Sequence, residues 1–492
     1  MKHHKTLCKT LFALLLIGML GSCGSFLEEV SNDQIVPKSV EDYSQLLFGE
    51  AYVRDLSSKS IHTFLDVMTD DVKSDFRSRG SGANATPQAY GYFAWQKEPE
   101  ISMTGAVATD QAWFTYYRMI LFANITLNEL DKLIGKEEDR IYLKGECHAI
   151  RAYAYFMLVN LYAQPYEQAT AASTPGVPIN NLVSTEDVKI PRAKLSENYA
   201  LIIDNLNQAI EAFNATPKKA GIFRWNLRAT ELLASRVHLY MKEYDKAIEH
   251  ATKLLELSPQ LYNLERKKKE DASSAFLNSQ NPEILFSYGS YFIPYFAAGA
   301  RAGFPVSDNL MGAYSAGDCR YNLKDGAFIR RIGFFISNRK IVPCKNEDPG
   351  ISQVFGFALR TAEAYLNRAE AYAEKGEIAQ AMADLNTLRR HRFLAANYRE
   401  LNAATKEEAV ELVRKERRLE LCFEQHRWFD LRRWDRPEIT HVFIVNDTPP
   451  ATQTFVLKKD DPAYTLPIPI SVTENDSQLA DTNNERPDRE AI

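Results

Sequence analysis

"WNLRATELLASRVHLYMKEYDKAIEHATKLLELSP" occupies residues 225–259 and reads as a helix, a short turn and a second helix. A second stretch, "AEAYLNRAEAYAEKGEIAQAMADLNTLR" (362–389), aligns with it. The alignment sets Ala247 on Ala381, Ala251 on Leu385 and Leu254 on Leu388. Small residues at such positions let two helices cross closely. Roughly 130 residues separate the two units, so they do not form a regular tandem array.

Both units resemble the tetratricopeptide helix–turn–helix. Working outward, "DQAWFTYYRMILFANITLNELDKLIG" (110–135) places Trp113, Tyr116, Tyr117, Ile120, Asn124, Leu127 and Leu130 on one apolar stripe. "YLKGECHAIRAYAYFMLVNLYAQP" (142–165) repeats the pattern and stops before Pro165. Residues 171–192 read as a long loop, and Ser196 is the expected N-cap of the next helix. Helical pattern dominates about 105–260 and 356–435; about 261–355 reads as a loop-rich insertion, with "EILFSYG" as a strand. "HVFIVND", "TFVLK" and "YTLPIPI" near the C-terminus predict short strands. The expected fold is mainly α: tetratricopeptide-like helix pairs, a loop-rich variable region and a few short strands.

The N-terminus carries a different signal. Lys2, Lys5 and Lys9 precede a short apolar run that ends in "LIGMLGSC" (16–23). The run is too short to span a bilayer as a helix, which needs about 20 residues. The order basic, apolar, small and cysteine predicts a lipoprotein signal over 1–22, with Cys23 as the acylated first residue of the mature chain. Residues 23–50 then form a tether and the start of the fold, and 51–492 a single domain. The chain has 492 residues, 45% of them hydrophobic, with a net charge of −5. A mildly acidic chain is a poor nucleic-acid binder. Cys147, Cys319, Cys344 and Cys422 are widely spaced without a CxxC, so they are no disulfide framework, although one bridge stays open.

Signals for catalysis are weak. HExxH, GxSxG and phosphate-loop sequences are absent. "GSGANA" (80–85) formally fits GxGxxA but sits in a Ser/Gly/Asn-rich stretch, so it reads as a loop. Cys422 and His426 lie one helical turn apart, short of the four ligands zinc needs. Asp66, Asp70, Asp71 and Asp75 in "DVMTDDVKSDF" could attract a cation, but capping and solvation explain them more simply. "VRKERRLELCFEQHRWFDLRRW" (413–434) reads as a salt-bridged helix whose end is buried by Trp428, Phe429, Leu431 and Trp434. No metal or cofactor is expected. Aromatic rings are the best binding resource, because they stack on sugar rings and also grip peptides. Two clusters lie outside the clear helices: "YGYFAW" (90–95) and "YGSYFIPYF" (288–296). They supply the candidate ligand residues Tyr92, Trp95, Tyr291 and Tyr295, with packing beneath a loop as the competing reading.

Taken in order, these motifs resemble the SusD/RagB family of Bacteroidetes outer-membrane lipoproteins. The resemblance rests on Cys23, on Trp113, Tyr117, Ile120 and Asn124 of the first long helix, and on "GECHAIRAYAYFMLVNLYAQP" (145–165). It continues through "EILFS" (283–287), "DCR" (318–320), "RKERRLELCFEQHRWFDLRRW" (414–434) and "LPIPISVTEND" (466–476). The tail "LADTNNERPD" (479–488) departs from the family's N-P-G-Y-like ending, which bears on C-terminal packing. The resemblance implies four tetratricopeptide-like pairs and a noncatalytic cell-surface lipoprotein. Such a protein captures an oligomeric nutrient, most simply a glycan, and passes it to a SusC-like TonB-dependent barrel docked on the tetratricopeptide face. A peptide-binding importer of the same fold, a surface hydrolase and a tetratricopeptide assembly scaffold are the alternatives.

Overall fold

Ser39 opens the first helix. Its Oγ accepts the Asp42 N–H at 3.1 Å, and the Asp42 carboxylate accepts the Ser39 N–H at 2.9 Å. This reciprocal cap starts α1 (Val40–Glu50) within the segment expected to hold the tether and the start of the fold. The computed structural model describes residues 37–52, 64–74, 88–107, 110–184, 186, 188–270, 276–288, 303–321, 334–337, 340–343, 345, 357–447, 450–480 and 485–492. The signal, Cys23, Asp75, the 80–85 stretch, Tyr291, Tyr295 and Cys344 lie outside the described residues.

The scaffold continues with α2 (Ala112–Glu129), α3 (Glu137–Tyr162), α4 (Leu195–Asn214), α5 (Leu227–Tyr240) and α6 (Tyr244–Leu257). After the loop-rich stretch come α7 (Thr361–Lys375), α8 (Ile378–Arg390), α9 (Lys406–Leu421) and α10 (Arg427–Arg433). From α2 to α8 each helix packs on the next, including α6 on α7 across the intervening stretch, and α9 packs on both α7 and α8. The matched repeat positions Ala247, Ala251, Leu254, Ala381, Leu385 and Leu388 are all buried. Their turns share one geometry. Gly376 ends α7 in the left-handed region at φ 81°, and Lys242 takes the same role after α5 at φ 63°. Gly145 is a point of close approach, since a Cβ there would meet the Phe213 ring at 2.9 Å.

Strands in the described residues pair as two-stranded antiparallel ribbons. These are β1 (Pro175–Pro178) with β2 (Arg192–Lys194), β3 (Ile284–Tyr288) with β6 (Phe357–Arg360), β4 (Phe334–Ser337) with β5 (Lys340–Pro343), and β7 (Ile439–Asp447) with β8 (Pro450–Leu457). Three expectations shift. The segment "YTLPIPI" is not a strand; Pro467 and Pro469 have no N–H to donate to a ladder, and a short helical turn follows at Ile470–Thr473. Ser196 lies inside α4, whose N-cap is Lys194; the Glu197 carboxylate takes the Lys194 N–H at 2.9 Å. The 413–434 segment is two helices, broken where Phe423 and Gln425 adopt φ 58° and 64°.

Candidate functional site

The aromatic cluster at 90–95 turns inward. A short helical turn, Tyr90–Phe93, leads into Trp95, which is fully buried with φ 50°. Its indole N–H donates to the Met68 carbonyl at 3.0 Å, and its ring stacks on His441 at 4.2 Å. Phe93 covers another part of the same imidazole, also at 4.2 Å. Tyr92 is 3% exposed and stacks on Phe64 at 4.1 Å. Ring faces already covered by protein cannot stack on a sugar. The expectation for Tyr92 and Trp95 is therefore corrected to a core role, and Tyr291 and Tyr295 lie outside the described residues. Burial pushes the His441 imidazole down to about 4, against the pull of the Phe93 and Thr69 carbonyls. Those carbonyls face its two ring nitrogens at 2.8 and 3.0 Å, and a neutral ring can donate to only one of them. Arg489, the residue after the divergent stretch 479–488, closes this core: it pairs with Asp461 at 2.9 Å, and its Nε faces the Trp95 carbonyl at 3.4 Å.

The acidic cluster meets arginine. Asp70 binds Arg427 at 2.8 Å and Arg418 at 3.1 Å, while Asp71 takes Arg418 at 2.7 Å. Burial raises the Asp70 pKa, but the two guanidiniums outweigh it and hold the carboxyl below its usual value. Burial, helped by Asp70, raises that of Asp71. The charge is neutralised inside the protein by the very segment read as salt-bridged. Cys422 and His426 do not share a site: the thiol lies 3.4 Å from the Tyr314 hydroxyl and the imidazole faces Arg417. Among the described residues no group of three or more ligating side chains could hold a metal.

A buried ion network ties the loop-rich stretch to α9. Glu420 binds Arg360 at 2.6 Å, Arg392 at 2.9 Å and Arg320 at 2.9 Å. Glu283 joins Arg360 and Arg392, and Glu424 joins Arg360 and Lys345. Burial disfavours ionised Glu420, yet the three guanidiniums pull its pKa well below normal. Residues 283, 320, 345 and 360 thereby acquire fixed positions on the helical scaffold. This role is structural.

Among the described residues, two clefts stand out that open to solvent. One, of about 290 Å³, has Lys218, Lys219 and Arg228 around Tyr142 and Phe213. The larger, about 470 Å³, lies between the start of α2, residues 178–180 and 188–190, and the C-terminal turns 471–479. Trp113, Phe114 and Tyr117 form its aromatic wall. Phe114 is 45% exposed, because it stands one position off the buried stripe that Trp113 begins. Asn180, Lys189, Ser471, Asn475 and Asp476 supply polar groups. Periodicity places Trp113 and Tyr117 in the scaffold; the mark that separates Phe114 is a large ring on the polar side of an amphipathic helix.

Comparison with known proteins follows the same division of the chain. A family model described as "Starch-binding associating with outer membrane" matches residues 26–239, and one described as "SusD family" matches 352–485. A SusD-like protein of Formosa agariphila is 24% identical, covering 89% of this chain and 93% of its own. A SusD-like carbohydrate-binding protein of Bacteroides vulgatus has a similar fold, with a TM-score of 0.65 at 21% identity, covering 91% of this chain and 98% of its own. A SusD superfamily protein of Bacteroides thetaiotaomicron gives 0.65 at 20% identity, over 89% of this chain and 98% of its own.

Proposed function

The chain belongs to the SusD/RagB family, and from that premise we propose that it is a noncatalytic lipoprotein that captures an oligomeric nutrient at the outer membrane. The cargo is a glycan, and the recipient is a SusC-like TonB-dependent barrel docked on the tetratricopeptide face. One observation carries this reading. The two family matches, 26–239 and 352–485, flank 240–351, which neither covers. That interval holds most of the loop-rich stretch, including Tyr291 and Tyr295, which remain candidate ligand residues. A shared scaffold around a stretch that neither family model covers suits a carrier whose cargo differs from that of its relatives.

Anchoring supplies the physical logic. Acyl chains on Cys23 hold the protein at the membrane without a spanning helix, and none of the described helices is long and apolar enough to span. Tethering beside the barrel keeps the effective concentration high, so modest affinity supports delivery.

The test is calorimetry on protein beginning after Cys23, against neutral and acidic oligosaccharides and mixed peptides, with product analysis alongside. Saturable glycan binding without turnover supports the reading. Binding to peptides alone transfers the cargo to peptide, and turnover of a glycan overturns the noncatalytic assignment. In cells, Cys23→Ser is expected to move the protein out of the membrane fraction.

A further inference from the structure

We propose that the cleft between α2 and the C-terminal turns is a second glycan contact that takes a neutral sugar ring, separate from the loop-rich stretch. This inference rests on the glycan reading above. The volume of about 470 Å³ is within the range of small-molecule sites. Its wall combines what a pyranose needs: an exposed aromatic ring for the C–H face, and fixed donors and acceptors for the hydroxyls.

The polar groups are held in place before any ligand arrives. Asn180 Oδ1 accepts the Leu182 N–H at 2.8 Å. The Asn180 carbonyl accepts from Asn124 at 3.0 Å, and the Tyr155 hydroxyl accepts the Asn180 N–H at 2.9 Å. The Asn180 Nδ2 donors are left over. Across the cleft, Asn475 Nδ2 donates to the Ser471 carbonyl at 2.7 Å, leaving Asn475 Oδ1 as an acceptor. Lining charge cancels, with Lys189 against Asp476. Groups already ordered lose little entropy on binding, so a shallow site can still discriminate. Balanced charge and mixed donors and acceptors select a neutral polyhydroxylated ligand over an anionic one.

Trp113 on the cleft wall provides a local reporter. Protein beginning after Cys23 is labelled with 5-fluorotryptophan, and the Trp113 ¹⁹F resonance is assigned from Trp113→Phe. It is titrated with neutral oligosaccharides of glucose, mannose, galactose and xylose, and with a uronic-acid oligomer. The expected result is a saturable shift of Trp113 with a neutral sugar, insensitive to salt. Phe114→Ala and Asn180→Ala are each expected to weaken it by about tenfold. Calorimetric glycan binding with an unmoved Trp113 overturns the second contact and leaves the capture function standing. A Trp113 shift that persists unchanged in both variants also overturns it. Neither heat nor shift with any sugar overturns both.

Discussion

The rings of residues 90–95 and the ring of Phe114 carry similar chemistry and meet opposite fates. Tyr92 and Trp95 stand outside any long helix, yet Phe64 and His441 cover their rings. Trp113, Phe114 and Tyr117 belong to a scaffold helix, yet they wall an open cleft. Helix membership does not decide whether a ring meets solvent. What decides is whether another element arrives to cover it. The β7–β8 ribbon brings His441 onto Trp95, whereas Phe114 stays 45% exposed in the cleft that it lines with residues 188–190 and 471–479.

The contrast breaks most sharply at Trp95. Trp95→Ala is expected to lower unfolding stability by about 3–5 kcal/mol in urea titrations, with glycan affinity of the folded fraction unchanged. A stable variant that loses glycan binding would instead return Trp95 to the site. Charges offer a parallel test, because Lys189 and Asp476 line a cleft while Glu420 is buried among three arginines. Glu420→Ala leaves those guanidiniums short of a partner and is expected to cost about 3–5 kcal/mol.

The covered cluster also predicts a pH response. His441 falls from an ordinary 6.5 to about 4 on folding, so the unfolded chain binds its proton first as pH drops. Its effect is absent above about pH 6.5 and grows to a loss of about 3 kcal/mol by pH 4. Burial lowers His148, His238 and His426 too, with the same sign. Melting temperature should therefore fall between pH 6.5 and 4, less steeply in His441→Gln. The smallest effect on stability belongs to the open cluster: Phe114→Ala should change it by about 0.5 kcal/mol or less. A large loss would show that Phe114 is packed, and would end its parallel with an uncovered ring.

Much of the scaffold was legible in sequence. The alignment of Ala247 with Ala381 and of Leu254 with Leu388 anticipated two equivalent hairpins, and their turns share one left-handed geometry at Lys242 and Gly376. Local patterns sufficed because each hairpin is built from contacts close in sequence. The break within 413–434 was not legible, since charge spacing alone favours one continuous helix. Glu424 reaches Arg360 and Lys345 only because Phe423 and Gln425 turn the chain. Nor was the larger cleft legible, since Phe114, Asn180 and Asn475 lie far apart in the chain.

The sequence by itself determined the helical repeats, the family and the partners available to each charge, because period, motif order and residue type are local properties. The tertiary structure alone decided which rings are covered, which carboxylates are neutralised and where a cleft remains. Those outcomes depend on segments hundreds of residues apart, such as Trp95 with His441 and Asp70 with Arg427. Burial is set by what packs from outside an element, and no local pattern carries that information.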